Sequence, residues 1–254
     1  MAEEKKAKII ALTGKGGVGK TTLSAAFVRD LCEIHPEAKI LAIDADPAVG
    51  LSIALGVEVK ETLDDIRQSV IDTAKDGRGN AAVELLGEAR YRIFDALVEK
   101  DGFAFLAIGR PEGAGCYCAI NSYLKDVIDM VSRDFDYVVI DGEAGIEQIN
   151  RRVMEKVTQL FMITDASFKG MQVVKSIKSV ADELVMYDNC GIIINRAPAD
   201  FTDALCRNMD APVLAVIPGD DALALNDMRG LSIFELEETS PIMVKTKEIA
   251  EKYC

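Results

Sequence analysis

The chain contains no long apolar run and few basic residues relative to its acidic ones. No window approaches the roughly 18 consecutive apolar residues that a membrane-spanning helix needs. The N-terminal segment MAEEKKAKII has no pattern of a secretory signal peptide, so we expect a cytoplasmic protein with no membrane partner. Lysine and arginine number 29 against 42 acidic residues, a net charge of −13. That balance argues against general nucleic-acid binding, which needs a basic surface.

Histidine is almost absent, and cysteine is moderately frequent. The single histidine, His35, precedes a proline in a polar segment and is expected at the surface. The six cysteines are expected to be reduced thiols or metal ligands, because disulfide frameworks are rare in the cytoplasm. We find no repeat, low-complexity tract or long linker, so the length of 254 residues predicts one domain, 1–254.

Short apolar runs alternate with helix-length segments along the chain. This alternation predicts an α/β fold, in which a doubly wound, mainly parallel sheet is flanked by helices on both faces. The predicted strands are 8–13, 38–46, 103–108, 137–141, 160–164, 191–195 and 213–218. The predicted helices are 20–34, 119–133, 147–157, 169–187, 200–209 and 240–253, and 60–100 is interpreted as mixed helix.

The segment GKGGVGKTT, residues 14–22, lies between the first predicted strand and the first helix. It satisfies the pattern G-x-x-x-x-G-K-[ST], in which backbone N–H groups surround phosphate oxygens at a helix N-terminus. Lys20 is predicted to contact the β- and γ-phosphates, Thr21 to ligate Mg²⁺ and Thr22 to reach the α-phosphate. The loop residues of this predicted site are Gly16, Gly17, Val18 and Gly19. The alternative is a glycine-rich turn without a ligand.

A second lysine, Lys15, lies in the same loop at a position where the pattern requires nothing. Here the sequence resembles the deviant-Walker ATPases, which are P-loop proteins that include the ParA/MinD group, the nitrogenase iron protein and the CooC-type nickel-insertion ATPases. In that family the extra lysine reaches across a homodimer to the nucleotide of the partner. The resemblance implies ATP-dependent dimerisation, with Lys15 acting on the transition-state charge.

Carboxylates end two of the predicted strands. Asp44 and Asp46 in DADP fit metal and water handling, since they face a phosphate loop from a strand end, although a solvated turn is the alternative. The resemblance implies that Asp46 orients or activates the attacking water and that Asp44 supports Mg²⁺. It also implies that Asp141, after the strand YVVID, is the Walker-B carboxylate.

Residues that follow later strands are candidates for base recognition. Asn195 lies where the family reads adenine with a side-chain amide, and Arg196 follows it. Pro218 ends the last predicted strand, and in the family the residues at this position line the adenine base. The alternative for Asn195 is a buried amide with a structural role only. The expected ligands of the whole site are ATP or ADP with Mg²⁺.

Cys116 and Cys118 are separated by one tyrosine in the loop GAGCYCA. Two thiolates from one chain leave a four-coordinate soft metal site incomplete, whereas two chains related by a two-fold axis supply four. The pair resembles the CooC group, where it binds metal at the dimer interface, which implies Ni²⁺ here, with Zn²⁺ as the other candidate for the same site. The alternative is two small apolar residues in a turn.

Three functions follow from these patterns. The first is an ATP-hydrolysing, homodimeric metallochaperone that supports nickel insertion into carbon monoxide dehydrogenase or a related nickel enzyme such as acetyl-CoA synthase. The second is an ATPase that passes electrons from an Fe–S cluster, although Gln148 stands about where the nitrogenase iron protein has its second cysteine. The third is a metal-free positioning ATPase of the MinD/ParA kind.

Overall fold

The computed structural model describes residues 6–46, 48–75, 91–109, 128–142, 156–201 and 209–254. Within them, one sheet has the strand order β3-β4-β2-β5-β1-β6-β7-β8. Its strands are β1 (Lys8–Gly14), β2 (Ile40–Asp44), β3 (Val98–Lys100), β4 (Phe103–Ala107), β5 (Tyr137–Asp141), β6 (Lys156–Asp165), β7 (Met186–Ala197) and β8 (Val213–Pro218). The helices with described bounds are α1 (Lys20–Ile34), α2 (Gly50–Leu55), α3 (Leu63–Lys75), α4 (Phe168–Leu184), α5 (Asp221–Met228) and α6 (Pro241–Tyr253), and Ile233–Glu235 forms a 3₁₀ turn.

Neighbouring strands of this sheet are parallel throughout, except for β3, which pairs antiparallel with β4. The predicted α/β fold with a mainly parallel sheet is therefore confirmed. Because parallel strands all end at the same edge, the carboxyl ends of β1, β2, β5 and β7 meet there. The prediction of a single domain, 1–254, stays a prediction.

Apolar side chains cover both faces of the sheet. Ile10 and Leu12 of β1 belong to a buried cluster that includes residues of α1, α2 and α6. Ile9 and Ala11 point to the opposite face, where the buried cluster includes residues of α3 and α4. Burial on both faces explains why the central strands read as nearly continuous apolar runs rather than as alternating patterns.

Two strands begin earlier than the sequence predicts. β6 begins at Lys156, within the predicted helix 147–157, and β7 begins at Met186, within the predicted helix 169–187. Each extension is stabilised by the other, since Lys156 pairs with Met186 in the parallel register and its ammonium lies 2.7 Å from the Asp188 carboxylate. Lys156 and Asp188 are polar and Met186 is exposed, so the sequence has no continuous apolar run to mark these extensions as strand.

Three further elements were not predicted individually, namely α2, α5 and the edge strand β3. The predicted helix 200–209 and the first part of the predicted helix 119–133 lie mostly outside the described residues. Among the helices that are described, none is both long enough and apolar enough to cross a membrane.

Candidate nucleotide-binding site

The loop between β1 and α1 has a backbone that requires glycine. Gly17 and Gly19 have φ angles of 80° and 93°, in the left-handed region that other residues rarely adopt. A Cβ atom on Gly14 would lie 2.3 Å from the carbonyl oxygen of Ile163 in β6. The loop is therefore pressed against the neighbouring strand and bent back on itself, which directs its backbone toward the start of α1.

A cavity of about 400 Å³ lies over this loop, lined by Gly16, Gly17, Gly19, Lys20, Thr21, Asp46 and Arg196. The first turn of α1 contains no acidic residue, so its free N–H groups and positive dipole end favour an anion there. The Lys20 side chain is buried beside the cavity, and its ammonium donates to the carbonyl oxygen of Lys15 at 3.4 Å. Lys15 itself is exposed. The loop, the helix end and Lys20 together form a site suited to phosphate groups.

Two buried carboxylates lie side by side at the strand ends, since the register of β2 and β5 pairs Asp44 with Asp141. The Asp44 carboxylate accepts hydrogen bonds from the backbone N–H of Leu51 at 2.8 Å and of Asp46 at 3.0 Å. Burial, with a smaller contribution from Asp141, raises the pKa of Asp44 to about 7. The half-buried Asp46 carboxylate accepts from the Ala48 N–H at 2.9 Å and lines the cavity.

The Asp141 carboxylate is only partly satisfied. Its Oδ1 accepts a hydrogen bond from the Ser24 hydroxyl at 3.1 Å, whereas the buried Oδ2 has no partner among the described residues. Burial raises the pKa of Asp141 to about 6, against the opposing effects of the nearby Thr21 and Ser24 hydroxyls and the Lys20 ammonium. An unpartnered carboxylate oxygen beside a threonine hydroxyl is the kind of donor set that a hard cation such as Mg²⁺ takes.

These residues fit Mg²⁺. Thr21, Asp141 and Asp44 would hold the ion directly or through water, and the ion would neutralise charge on the bound phosphates. The described residues contain no group of three or more His, Cys, Asp or Glu side chains able to hold a metal on their own. This agrees with a site at which phosphate oxygens and water complete the coordination, as is usual for Mg²⁺.

The end of β7 reaches the same loop. Asn195 is 4% exposed, and its Nδ2 donates to the Val18 carbonyl oxygen at 2.9 Å. The Arg196 guanidinium donates to the Gly17 carbonyl oxygen at 3.2 Å. Contact of Asn195 or Arg196 with adenine stays a prediction. Pro218 is exposed at the end of β8, and Thr22 is half-buried in the first turn of α1.

Sequence reasoning missed Ser24, although its position three residues after Thr21 places both on one face of α1. Cys116 and Cys118 lie outside the described residues, as does Gln148. The described cysteines Cys32, Cys190 and Cys254 are free thiols.

Comparison with known proteins identifies the family of this chain. Residues 9–233 match the family described as the CobQ/CobB/MinD/ParA nucleotide binding domain. The chain is 36% identical to an uncharacterised ATP-binding protein of Methanocaldococcus jannaschii, over 96% of this chain and 97% of that protein. It is 30% identical to the carbon monoxide dehydrogenase accessory protein CooC of Rhodospirillum rubrum, over 89% of each chain.

A solved structure supports the fold. The septum site-determining protein MinD of Pyrococcus horikoshii, complexed with Mg-ADP, superposes with a TM-score of 0.70 at 22% identity, covering 97% of this chain and 95% of that one. With the family match over most of the chain, this confirms the resemblance stated from the motifs. The chain belongs to the CobQ/CobB/MinD/ParA nucleotide-binding family and is a P-loop ATPase.

Proposed function

We propose that this ATPase is a homodimeric metallochaperone that binds Ni²⁺ through Cys116 and Cys118 and delivers it to a nickel enzyme. The observation that carries the proposal is the Cys-x-Cys pair, in a chain that is 30% identical to CooC over 89% of its length. The client is carbon monoxide dehydrogenase or a related nickel enzyme such as acetyl-CoA synthase. The proposal places the protein in the cytoplasm, where thiols stay reduced.

The stoichiometry of the metal site supports a dimer. One Cys-x-Cys pair supplies two sulfur ligands, and a second copy related by a two-fold axis completes four. Ni²⁺ accepts four sulfur ligands in a square-planar or distorted arrangement, and Zn²⁺ accepts them in a tetrahedral one. Such a site exists in full only when two copies associate, so any ligand that closes the dimer also controls the affinity for the metal ion.

We propose that ATP is the ligand that closes the dimer and so controls the affinity for the metal ion. Lys15 is exposed and directly precedes Gly16 and Gly17, which line the phosphate cavity, and in this proposal its charge acts on the nucleotide of a second copy. In this proposal Lys20 holds the β- and γ-phosphates and Asp46 orients the attacking water. Hydrolysis removes the γ-phosphate, which opens the dimer and releases the metal ion to the client.

Two of the described thiols, Cys32 and Cys254, are poor alternatives as metal ligands. Burial raises the pKa of Cys32 to about 11 and the pKa of Cys254 to about 12. A thiol binds Ni²⁺ or Zn²⁺ as the thiolate, so these two groups carry a large cost of deprotonation. No described cysteine lies in a group of side chains that could hold a metal. The assignment to Cys116 and Cys118 rests on their Cys-x-Cys spacing.

Elemental analysis of anaerobically purified protein tests the proposal, with and without a non-hydrolysable ATP analogue and with the molecular mass measured in parallel. We expect about one Ni²⁺ per dimer, bound with the analogue present and lost in a Cys116→Ser/Cys118→Ser variant. The matched control is Cys32→Ser/Cys254→Ser, which removes the same number of thiols and should keep the metal.

Other results would replace the proposal. Iron with inorganic sulfide would identify an Fe–S ATPase that transfers electrons. A dimer without metal that still hydrolyses ATP would favour a positioning ATPase of the MinD/ParA kind. Zinc bound in preference to nickel, with both ions offered, would keep the site and overturn the assignment of the nickel client.

A further inference from the structure

We infer that Ser24 is a positioning residue for the magnesium site: its hydroxyl holds one oxygen of the Asp141 carboxylate and leaves the other oxygen available to Mg²⁺. This inference rests on the P-loop ATPase site and is independent of nickel delivery. Ser24 lies in α1 and Asp141 at the end of β5, so the contact joins two elements whose residues are 117 positions apart along the chain.

The backbone of Asp141 is held independently of its side chain. In the sheet, Asp141 pairs with Leu12 of β1 on one side and with Asp44 of β2 on the other. Its carbonyl oxygen accepts the Ala45 N–H at 3.0 Å, and the N–H of Gly142 donates to the Leu12 carbonyl oxygen at 3.0 Å. Because the strand end is held on both sides, only the torsion angles of the side chain remain to be set.

The Ser24 hydroxyl fixes the side chain of Asp141. Ser24 is fully buried, and its Oγ donates to Asp141 Oδ1 at 3.1 Å. Asp141 Oδ2 is also buried and has no hydrogen-bond partner among the described residues. An ionised carboxylate accepts at both oxygens, so a donor on Oδ1 restrains its rotation while a cation takes Oδ2.

The neighbouring carboxylate differs in this respect. Both oxygens of Asp44 accept backbone N–H groups, Oδ1 from Asp46 and Oδ2 from Leu51. Of the two paired carboxylates, Asp141 is therefore the one with an oxygen that the described part of the chain leaves without a partner. The orientation of Asp141 is thus the more important of the two for direct binding of Mg²⁺.

Ser24 does not make the hydrogen bond that is usual for a buried hydroxyl in a helix. Ser132 donates to the Ile128 carbonyl oxygen at 2.7 Å, and Thr246 donates to the Ile242 carbonyl oxygen at 2.9 Å. Each of these acceptors lies four residues back in the same helix. The Ser24 hydroxyl instead donates to a carboxylate of the sheet, so its contact serves the strand end and not its own helix.

The position of Ser24 in α1 connects it to the phosphate loop. It follows Thr21 by three residues and Lys20 by four, which places all three on one face of the helix. Thr21 is the predicted hydroxyl ligand of Mg²⁺, so the first turns of one helix hold both this ligand and the group that orients the carboxylate. Their separation is set by the regular geometry of the helix.

A Mg²⁺ titration of Ser24→Ala tests the inference. The dissociation constant of a non-hydrolysable ATP analogue is measured in EDTA and over a series of Mg²⁺ concentrations. We expect the Mg²⁺ concentration that gives half of the effect on this constant to rise about tenfold, because the carboxylate loses the hydrogen bond that orients it. The dissociation constant in EDTA should change by less than about twofold, since the phosphate loop is intact.

Ser132→Ala is the matched control, since it removes an equally buried hydroxyl whose partner is a carbonyl group of its own helix. Its Mg²⁺ response should equal that of the unsubstituted protein. Ser24→Cys keeps a weak donor at the same position and should show a smaller rise than Ser24→Ala. The same titration of Ser24→Cys tests the inference if Ser24→Ala does not fold.

Two results would overturn the inference. A Mg²⁺ response of Ser24→Ala equal to that of Ser132→Ala would show that the hydroxyl does not position a magnesium ligand. An equal loss of analogue affinity in EDTA and in Mg²⁺ would show that Ser24 supports the phosphate loop instead. Either failure would leave the nickel proposal intact, because that proposal depends on Cys116 and Cys118.

Discussion

Asp30 is a buried acidic residue away from the nucleotide site, on the inner face of α1. The residue is fully buried, and neither of its carboxyl oxygens makes a hydrogen bond of ordinary geometry within the described part of the chain. Thr246 of α6 lies nearby, but its hydroxyl donates to the Ile242 carbonyl oxygen at 2.9 Å. Burial, with help from Glu33, raises the pKa of Asp30 to about 7, against the opposing charges of Lys247 and Arg29.

Replacing Asp30 by asparagine is expected to stabilise the protein above neutral pH. The raised pKa means that the folded state binds a proton that the unfolded state has released, so stability falls as pH rises from about 4 through about 7. Asp30→Asn removes this loss and should gain about 1–3 kcal/mol at pH 8 and little at pH 4.5. Urea unfolding at both pH values measures the difference.

The adjacent Glu33 serves as the control for Asp30. Its hydrogen bonds with Arg29 and Lys247 lower the pKa of its carboxyl, against the effect of burial. Stability linked to Glu33 is therefore lost as pH falls, which is the opposite direction. An equal gain for Asp30→Asn at both pH values would show that the carboxyl is not protonated in the folded protein and would contradict the prediction.

Among the elements, α5 and α6 share one capping residue. Asp220 Oδ1 accepts the Leu223 N–H at 2.9 Å and so caps α5. Its Oδ2 accepts the Ile242 N–H at 3.3 Å and the Ser240 hydroxyl, at the start of α6. Since α6 packs on α1, the helix that follows the phosphate loop, this carboxylate helps to position the last helix over the first.

Removing this shared cap is expected to destabilise the protein. Asp220→Ala leaves donors of two helix starts without their acceptor, which should cost about 1–3 kcal/mol. Asp220→Asn keeps an acceptor and should recover part of the loss. Thermal or urea unfolding of both variants provides the measurement.

Asp221→Ala is the matched control, because Asp221 is an exposed acidic residue in the first turn of α5, where its charge interacts favourably with the helix dipole. We expect its removal to cost less than about 1 kcal/mol. Similar losses for Asp220→Ala and Asp221→Ala would mean that the hydrogen bonds of Asp220 contribute nothing beyond its charge.

At the scale of the whole molecule, the net charge of −13 favours the proposed chaperone over a positioning ATPase that binds DNA. We expect no retardation of a short DNA duplex at about 0.15 M salt with Mg·ATP present, because the protein offers no excess of cations to displace counterions. Gel retardation across a salt series measures this. ATP-dependent binding that weakens as salt rises would contradict the prediction and favour the positioning function.

The amino-acid sequence by itself determined the phosphate loop, the fold class and the family. The loop is contiguous, so Gly14 to Thr22 carry their chemistry in a spacing that any fold with a strand before and a helix after must preserve. The central strands are buried on both faces, so their sequences are nearly continuous apolar runs, and such runs predict strands without a structure. Carboxylates directly after such runs, Asp44 and Asp141, were predictable for the same reason.

Tertiary structure alone decided which groups meet across the sheet. The pairing of Asp44 with Asp141 depends on the register of β2 and β5, and the unpartnered oxygen of Asp141 depends on where Ser24 of α1 lies. The direction of the Asn195 amide depends on a bulge between β7 and β8. The strand conformation of early residues such as Lys156 could not be predicted from the sequence, because it is stabilised by pairing with the neighbouring strand rather than by burial of an apolar run. Register, bulges and long-range pairing arise from contacts between distant segments, and local sequence patterns do not encode them.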